Sequence, residues 1–247
     1  MHYWVAVLVL WGVATGLVAE PLRVGFGTHK PPYLFEGEAR GLEYDIVVAA
    51  MRSGGFEVEA YYAPMERLHL MLRRADIDCI ATTNEQSGVA AYYSDVYLHY
   101  HNVAVALASR QYRIDSIEDL AGHSVSAFQR ARFLLGPRFQ HMAEANPRYR
   151  EEAQQIARNR LLYTGRIEVI VGDARIIDYF NREVDKQVDI HQPLSRFAIF
   201  EPTPYRLGFR FQIQRDLFNR GLAKIRRSGE YEAIERRYAV GELLPQP

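Results

Sequence analysis

Few residues of this chain have the type and spacing needed for covalent or metal chemistry. The single cysteine, Cys79, lies in the apolar run 77–81, where a small buried core residue is the expected role rather than a nucleophile. The eight histidines show no ligand pattern such as HExxH, and the sequence contains no nucleophile elbow and no phosphate-binding loop. We therefore expect no metal ion and no cofactor, and the remaining candidates are polar side chains suited to binding.

Polar side chains follow several predicted strands. Thr82 and Thr83 come just after the third predicted strand, where lining a binding cleft and capping a turn are equally good interpretations. Three further candidates lie beside predicted strands in the second half of the chain: Gln129, Arg130 and Asp173. A buried carboxylate is rarely left unpaired, so Asp173 is expected to meet either a ligand cation or a neighbouring arginine.

The elements that must position these residues alternate between strand and helix. In the first 80 residues, apolar alternation and helical spacing predict the order strand, helix, strand, helix, strand, which implies a parallel sheet with helical crossovers. The predicted ranges are 22–26, 41–51, 56–61, 65–74 and 76–81.

The alternation of strands and helices begins again after an apolar strand predicted at 103–108. Further strands are predicted at 124–128, 167–171, 188–191, 198–200 and 206–211, and helices at 132–143, 151–162, 174–184 and 214–238. The pattern indicates two α/β units, with the second inserted before the chain returns to the first.

The first nineteen residues differ from the rest. An apolar run from residue 5 onward ends in Ala19, which is typical of a signal peptide cleaved after that residue. An uncleaved membrane anchor is the alternative, although the run is slightly shorter than the roughly 20 residues that a membrane span requires. We therefore expect export to the periplasm.

Six local strings, spread over nearly the whole chain, together resemble the family 3 bacterial extracellular solute-binding proteins, whose best-known members serve amino-acid ABC transporters. The first joins a Pro-Pro-Tyr-Leu-Phe loop to a Gly-Leu-Glu-Tyr-Asp helix start. The strings lie at 31–46, 75–78, 93–97, 117–122, 165–173 and 228–234.

The resemblance implies an α/β, type II periplasmic-binding-protein fold, in which two lobes each carry a mostly parallel sheet flanked by helices. Residues 20–105 with 207–247 would form lobe one and 106–206 lobe two, and two crossover strands near 103–109 and 198–208 would act as the hinge. The implied partners are a small-molecule ligand and an inner-membrane ABC permease. Thirty basic residues balance thirty acidic ones, so we expect no nucleic-acid partner, and we expect a monomer.

The family's pocket suggests roles for lobe-one residues. Relatives that bind amino acids hold the ligand carboxylate with an arginine after the third strand, but this chain has Gln86 near that point. Arg67, at the start of the second helix, is a candidate replacement, and a solvated helix arginine is its alternative role. Lys30 and Tyr33 occupy the loop after strand one, where relatives place a ligand-stacking residue, and Tyr62 could supply a stacking face instead.

In lobe two, the resemblance places Gln129 and Arg130 where ligand-binding amides lie, and Asp173 where an aspartate takes a ligand ammonium. These residues predict a binding protein for a small amine, amino acid or organic acid rather than an enzyme. A periplasmic enzyme on the same fold, such as a dehydratase with Glu85 and Asp173 as its carboxylates, is one alternative. A ligand-sensing module is the other.

Overall fold

A computed structural model describes residues 20–239 of the protein. The predicted signal peptide and its cleavage site lie outside the described residues. Within residues 20–239, no helix is long and apolar enough to cross a bilayer.

Among residues 20–239, the first sheet contains six strands, which are fully buried at the centre of the sheet and partly exposed at its edges. They are β1 (Leu22–Gly25), β2 (Val58–Tyr61), β3 (Cys79–Thr83), β4 (Tyr92–Tyr93), β5 (Leu98–Tyr100) and β11 (Thr203–Phe209). The order is β2-β1-β3-β11-β4, and β5 also pairs with β11. β1 is parallel to β2 and β3, whereas β11 is antiparallel to its partners, so the late strand completes a sheet that the first 80 residues begin.

The second sheet contains the five remaining strands. They are β6 (Asn102–Leu107), β7 (Val125–Phe128), β8 (Tyr149–Glu152), β9 (Val169–Asp173) and β10 (Leu194–Phe197), in the order β10-β6-β9-β7-β8. β7 is parallel to β8 and β9, whereas β6 is antiparallel to β9 and β10. β9 is central and fully buried, as its apolar sequence predicts.

Among residues 20–239, eight α-helices flank the two sheets. Lobe one contains α1 (Leu42–Ser53), α2 (Met65–Arg74), α7 (Gln212–Ser228) and α8 (Glu230–Arg237). Of these, α1, α2 and α7 pack on the first sheet, whereas α8 packs against α1 and α7. Lobe two contains α3 (Ala131–Leu134), α4 (Pro137–Ala145), α5 (Gln155–Tyr163) and α6 (Ala174–Glu183). Of these, α4, α5 and α6 pack on the second sheet, whereas α3 packs against α4 and against residues 85–87 of lobe one.

Small residues allow α1 and α7 to pack closely. Gly221 in α7 faces the backbone of Ala50 in α1, and a Cβ at Gly221 would overlap the Ala50 carbonyl. This contact holds α7, in the C-terminal segment, against α1, in the N-terminal part of lobe one.

The chain crosses between the sheets near residue 101 and again between β10 and β11. These crossings come a few residues before the boundaries at 105 and 206 that the sequence suggests, because β6 lies wholly in the second sheet and β11 wholly in the first.

Several local predictions in lobe two are wrong. Residues 149–152 form edge strand β8 beside β7, so the helix predicted at 151–162 begins only at Gln155. Residues 188–191 and 198–200 are not strands, and the segment between them forms β10 instead. The predicted helix 132–143 is likewise divided into α3 and α4 around Gly136, whose φ of 89° lies in the left-handed region that favours glycine.

Candidate functional site

A cavity of about 50 Å³ lies between the two lobes. Lobe one contributes polar groups from Lys30 and Thr82, and lobe two contributes Gln129, Arg158 and Asp173. Apolar and aromatic side chains complete the lining, among them Met65, Tyr100, Phe128, Leu134, Ile176 and Tyr205. The enclosed space accommodates only a few water molecules, so the lobes adopt a closed arrangement around a small polar site.

Direct hydrogen bonds hold the lobes together around this cavity. The hydroxyl of Tyr33 in lobe one donates to Oδ2 of Asp173 in lobe two at 3.1 Å. The hydroxyl of Thr28 donates to the carbonyl of Ala153 at 3.1 Å. These bonds cross the cleft, and they break when the lobes separate.

Arg130 forms a further set of contacts between the lobes at the edge of the cleft. Its Nη1 donates to Oε1 of Glu66 at 2.8 Å, and its Nη2 donates to the carbonyl of Ser87 at 2.5 Å. Beside it, the backbone N–H of Glu66 donates to Oε1 of Gln129 at 3.2 Å. A lobe-two arginine therefore contacts two segments of lobe one, and we call this group the Arg130 latch.

In lobe one, a buried carboxylate organises the wall of the cavity. Glu43 is fully buried and accepts hydrogen bonds from Lys30, at 2.5 Å, and from the hydroxyls of Thr82, Tyr97 and Tyr100. Gly41 precedes α1 with a φ of 133°, and a Cβ there would overlap the Tyr33 carbonyl, so glycine lets the loop fold against the helix that carries Glu43.

Burial and pairing act in opposite directions on Lys30. Enclosure lowers the pKa of the Lys30 ammonium, and the nearby Glu43 carboxylate opposes that change. The same environment raises the pKa of the Tyr97 and Tyr100 hydroxyls, chiefly through burial, so both remain protonated donors to Glu43. The charge of Lys30 is therefore balanced inside the protein.

Asp173 ends β9 and caps the N-terminus of α6. Its Oδ1 accepts the backbone N–H groups of Arg175 and Ile176, at 2.9 and 3.2 Å. Its Oδ2 accepts the N–H of His101 at 2.9 Å and the hydroxyl of Tyr33. Burial raises the pKa of the Asp173 carboxyl, although these four donors oppose the change. The four donors occupy about the full accepting capacity of a carboxylate.

Arg158 is a buried cation in α5, with 1% of its surface exposed. Its two terminal nitrogens donate to the carbonyl of Val171 and to Oε1 of Gln155, whereas its Nε has no partner among the described residues. Burial lowers the pKa of the guanidinium to about 10, so it stays charged at neutral pH. Within residues 20–239, it forms no ion pair closer than 4.0 Å.

Strained backbone occurs on both sides of the cleft. Thr82 has a φ of 53° and Arg130 a φ of 70°, although neither is glycine. Left-handed backbone at a β-branched residue such as Thr82 is costly and clusters at functional sites. Thr82 adopts it while its N–H donates to the hydroxyl of Tyr97, at 2.9 Å, and its own hydroxyl donates to Glu43.

The structure brings some of the predicted site residues together. Lys30, Thr82, Gln129 and Asp173 line the cavity. Tyr33 lies beside them, stacked on Tyr100 with ring centroids 4.1 Å apart and bonded to Asp173.

The other predicted residues lie elsewhere. Arg67 is exposed on α2, Tyr62 packs near Phe26 and donates to the carbonyl of Glu38, and Thr83 is buried away from the cavity lining. Arg130 lies at the edge of the cleft, in the latch. Ligand binding by each of these residues stays a prediction.

The sequence patterns did not identify two residues of the site: Glu43, which organises the cavity wall, and Arg158, which lines the cavity. The only sequence signal for Arg158 is its position one turn before Leu162, which places both on the buried face of α5. The sequence also did not identify Glu151. At the start of α3, where the resemblance places ligand-binding amides, the Glu151 carboxylate accepts the N–H groups of Arg130 and Arg132.

The two carboxylates considered for catalysis, Glu85 and Asp173, already have partners within the protein. Glu85 lies outside the cavity lining and pairs with Arg206 at 3.1 Å, and Asp173 is occupied by its four donors. Among the described residues, no group of three or more potential ligands could hold a metal ion.

The closed cavity between two α/β lobes defines a class of ligand-binding protein. A family model described as bacterial extracellular solute-binding proteins, family 3, matches residues 22–241. The chain therefore belongs to this family, which consists of binding proteins, and the predicted family and fold are confirmed.

Solved structures similar to this chain share the type II periplasmic binding fold. An ancestral arginine-binding protein bound to arginine is 20% identical, with a TM-score of 0.73 and coverage of 89% of this chain and 98% of its own. The arginine-, lysine-, histidine-binding protein ArtJ from Geobacillus stearothermophilus is 14% identical, with a TM-score of 0.72 and coverage of 89% and 95%.

A histidine kinase sensor domain is 19% identical, with a TM-score of 0.74 and coverage of 89% and 96%. A comparison with curated protein sequences returned no match. At these identities the similarities establish the fold and do not identify the ligand.

Proposed function

We propose that this protein captures a small polar molecule between its lobes in the periplasm and delivers it to an ABC transporter. The observation that carries the proposal is the closed cavity, to which both lobes contribute buried charged and polar groups. A site built from two lobes couples ligand binding to lobe closure, because the ligand contacts both walls only when they approach. Membership of an extracellular solute-binding family supports the same role.

A thermal-shift screen tests the proposal. The purified protein is heated with amino acids, polyamines, organic acids and small peptides, and each ligand is recovered afterwards for mass spectrometry. A ligand at 100 times its dissociation constant adds about 2.7 kcal/mol to the free energy of unfolding, so a binder raises the melting temperature. A binder recovered unchanged supports a binding protein, and a product would favour the enzyme alternative. A complete panel without any shift contradicts the proposal.

A sensory role is the second candidate, because a histidine kinase sensor domain matches almost the whole described chain. Uptake of the identified ligand separates the two roles. In cells lacking this protein, uptake at low external concentration falls if the protein serves a transporter. Unchanged uptake together with a changed transcriptional response to the ligand identifies a sensor.

A further inference from the structure

The charged side chains of the cavity differ in the ion-pair and hydrogen-bond partners that the protein itself provides. Lys30 is paired with Glu43, and Asp173 accepts four hydrogen bonds. Arg158 is the exception, because its two hydrogen-bond acceptors are an uncharged carbonyl and an uncharged amide. Its charge is compensated only at longer range, by the Asp173 and Glu152 carboxylates, because no described carboxylate lies within 4.0 Å of the guanidinium.

The sequence beside Arg158 leaves space for its guanidinium. Gly172 lies in β9, one residue before Asp173, and a Cβ at this position would overlap the Arg158 side chain. The left-handed region is not the reason for this glycine, since its φ is not positive. Its lack of a side chain allows the guanidinium to lie against the strand at the cavity wall.

We propose that the ligand is a short-chain carboxylate, and that Arg158 binds its carboxylate group from lobe two. This inference rests on the proposed function and specifies the ligand. An arginine is the side chain best suited to a carboxylate, because its planar nitrogens pair with both oxygens. The small cavity and its apolar walls, including Phe128, Leu134 and Ile176, suit a short hydrocarbon body.

The same site disfavours a ligand ammonium. Asp173, the carboxylate of the cavity lining, has its accepting positions occupied by Tyr33 and by three backbone N–H groups. Glu43 is likewise engaged by Lys30 and three hydroxyls. An ammonium would enter a site whose Arg158 cation has no direct ion-pair partner and whose described lining residues offer no carboxylate with free accepting positions.

Calorimetric titration of the full protein with matched probes tests this assignment. Butyrate and propionate carry the carboxylate, butyramide and propionamide replace it with a neutral amide, and L-alanine adds an ammonium to propionate. We expect the carboxylates to bind at least about 100-fold more tightly than the amides, because a desolvated charge pair is lost in the amide complex. We also expect L-alanine to bind more weakly than propionate.

Two variants assign the effect to Arg158. Arg158→Gln removes the charge, and Gly172→Ala displaces the guanidinium while keeping the charge, so both should weaken carboxylate binding by about 100-fold. Arg160→Gln is the matched control, since Arg160 is exposed on the same helix, and its affinity should equal that of the wild type. Thermal melts of all three variants without ligand show whether each one folds.

The outcomes separate this inference from the proposed function. Amide binding equal to carboxylate binding, tighter binding of L-alanine than of propionate, or full affinity in folded Arg158→Gln overturns the inference and leaves the proposed function intact. Any other ligand found in the wider thermal-shift panel is tested on Arg158→Gln in the same way, and retained affinity again overturns the assignment. If nothing in either panel binds the wild type, the proposed function and the inference fail together.

Discussion

Lys30 donates a hydrogen bond of 2.5 Å from its ammonium to Oε2 of Glu43, and their side chains are 6% and 0% exposed. The partners are unequal in their other contacts. Glu43 also accepts three hydroxyl groups, whereas Lys30 has only the Thr82 hydroxyl as a second partner among the described residues.

This inequality predicts different costs for removing each partner. Glu43→Gln leaves a buried ammonium without its anion and should lower the free energy of unfolding by about 3–5 kcal/mol. Lys30→Met should cost less, because Glu43 keeps its three hydroxyl donors. The double variant should be more stable than the sum of the single effects predicts, since neither charge is then left alone.

Urea unfolding of the three variants measures these differences. The control is Glu57→Gln, which removes one partner of the exposed Arg52–Glu57 pair and should cost less than about 1 kcal/mol. Strictly additive costs at positions 30 and 43 would show that the pair is not energetically coupled.

Arg158 should contribute to binding at the expense of stability. Because its buried charge has no ion-pair partner among the described residues, Arg158→Met should leave the melting temperature of the ligand-free protein unchanged or raise it. The same variant should lose carboxylate binding. A fall in melting temperature of more than a few degrees would indicate that Arg158 is mainly a structural residue.

The Arg130 latch should favour the closed arrangement. Arg130→Ala removes the contacts to Glu66 and to the Ser87 carbonyl, so the open arrangement gains population and the apparent affinity should fall by about tenfold. Small-angle scattering should show a larger radius of gyration in the absence of ligand. Arg132→Ala is the control, because Arg132 pairs with Glu151 inside lobe two, and equal effects of the two variants would contradict a role in closure.

His69 should make the protein sensitive to acid. It is buried in α2, its Nε2 has no partner among the described residues, and burial with nearby Arg130 and Arg73 lowers its pKa to about 4. The folded protein thus binds a proton less readily than the unfolded chain, whose histidine has a pKa of about 6.5. Stability is retained above pH 6.5 and is lost as the pH falls toward 4, by up to about 3 kcal/mol.

Comparison of the unfolding free energies of wild type and His69→Leu at pH 7 and pH 4 isolates this effect. The variant should lose less stability between the two values. His141→Leu, at an exposed position in α4, should follow the wild type. Parallel pH curves for wild type and His69→Leu would contradict the assignment.

The sequence predicted the parts of the fold that have strong apolar patterns. The strand predicted at 167–171 is found two residues later as central strand β9, at 169–173, and the first 80 residues contain the predicted alternation of strands and helices. β8 was missed because its sequence, Tyr-Arg-Glu-Glu, is that of a charged edge strand, which lacks the apolar signal of a buried one.

The cavity residues were predictable where they lie at or near the carboxyl end of a strand. Thr82 and Asp173 both lie at the end of a strand and reach the cavity. Arg158 could not be predicted in this way, because it lies inside a helix and reaches the cavity only through the approach of α5 to β9 and the space left by Gly172. The state of each charge also depends on tertiary contacts, as the pairing of Lys30 with Glu43 illustrates.

A crystal structure of the protein grown with the probe that gives the largest thermal shift is the decisive test of ligand capture between the lobes. We expect one probe molecule between the lobes, in contact with both, with its anionic group within hydrogen-bonding distance of Arg158. A probe bound outside the cleft, or one that touches a single lobe, would show that the protein does not capture its ligand between the lobes.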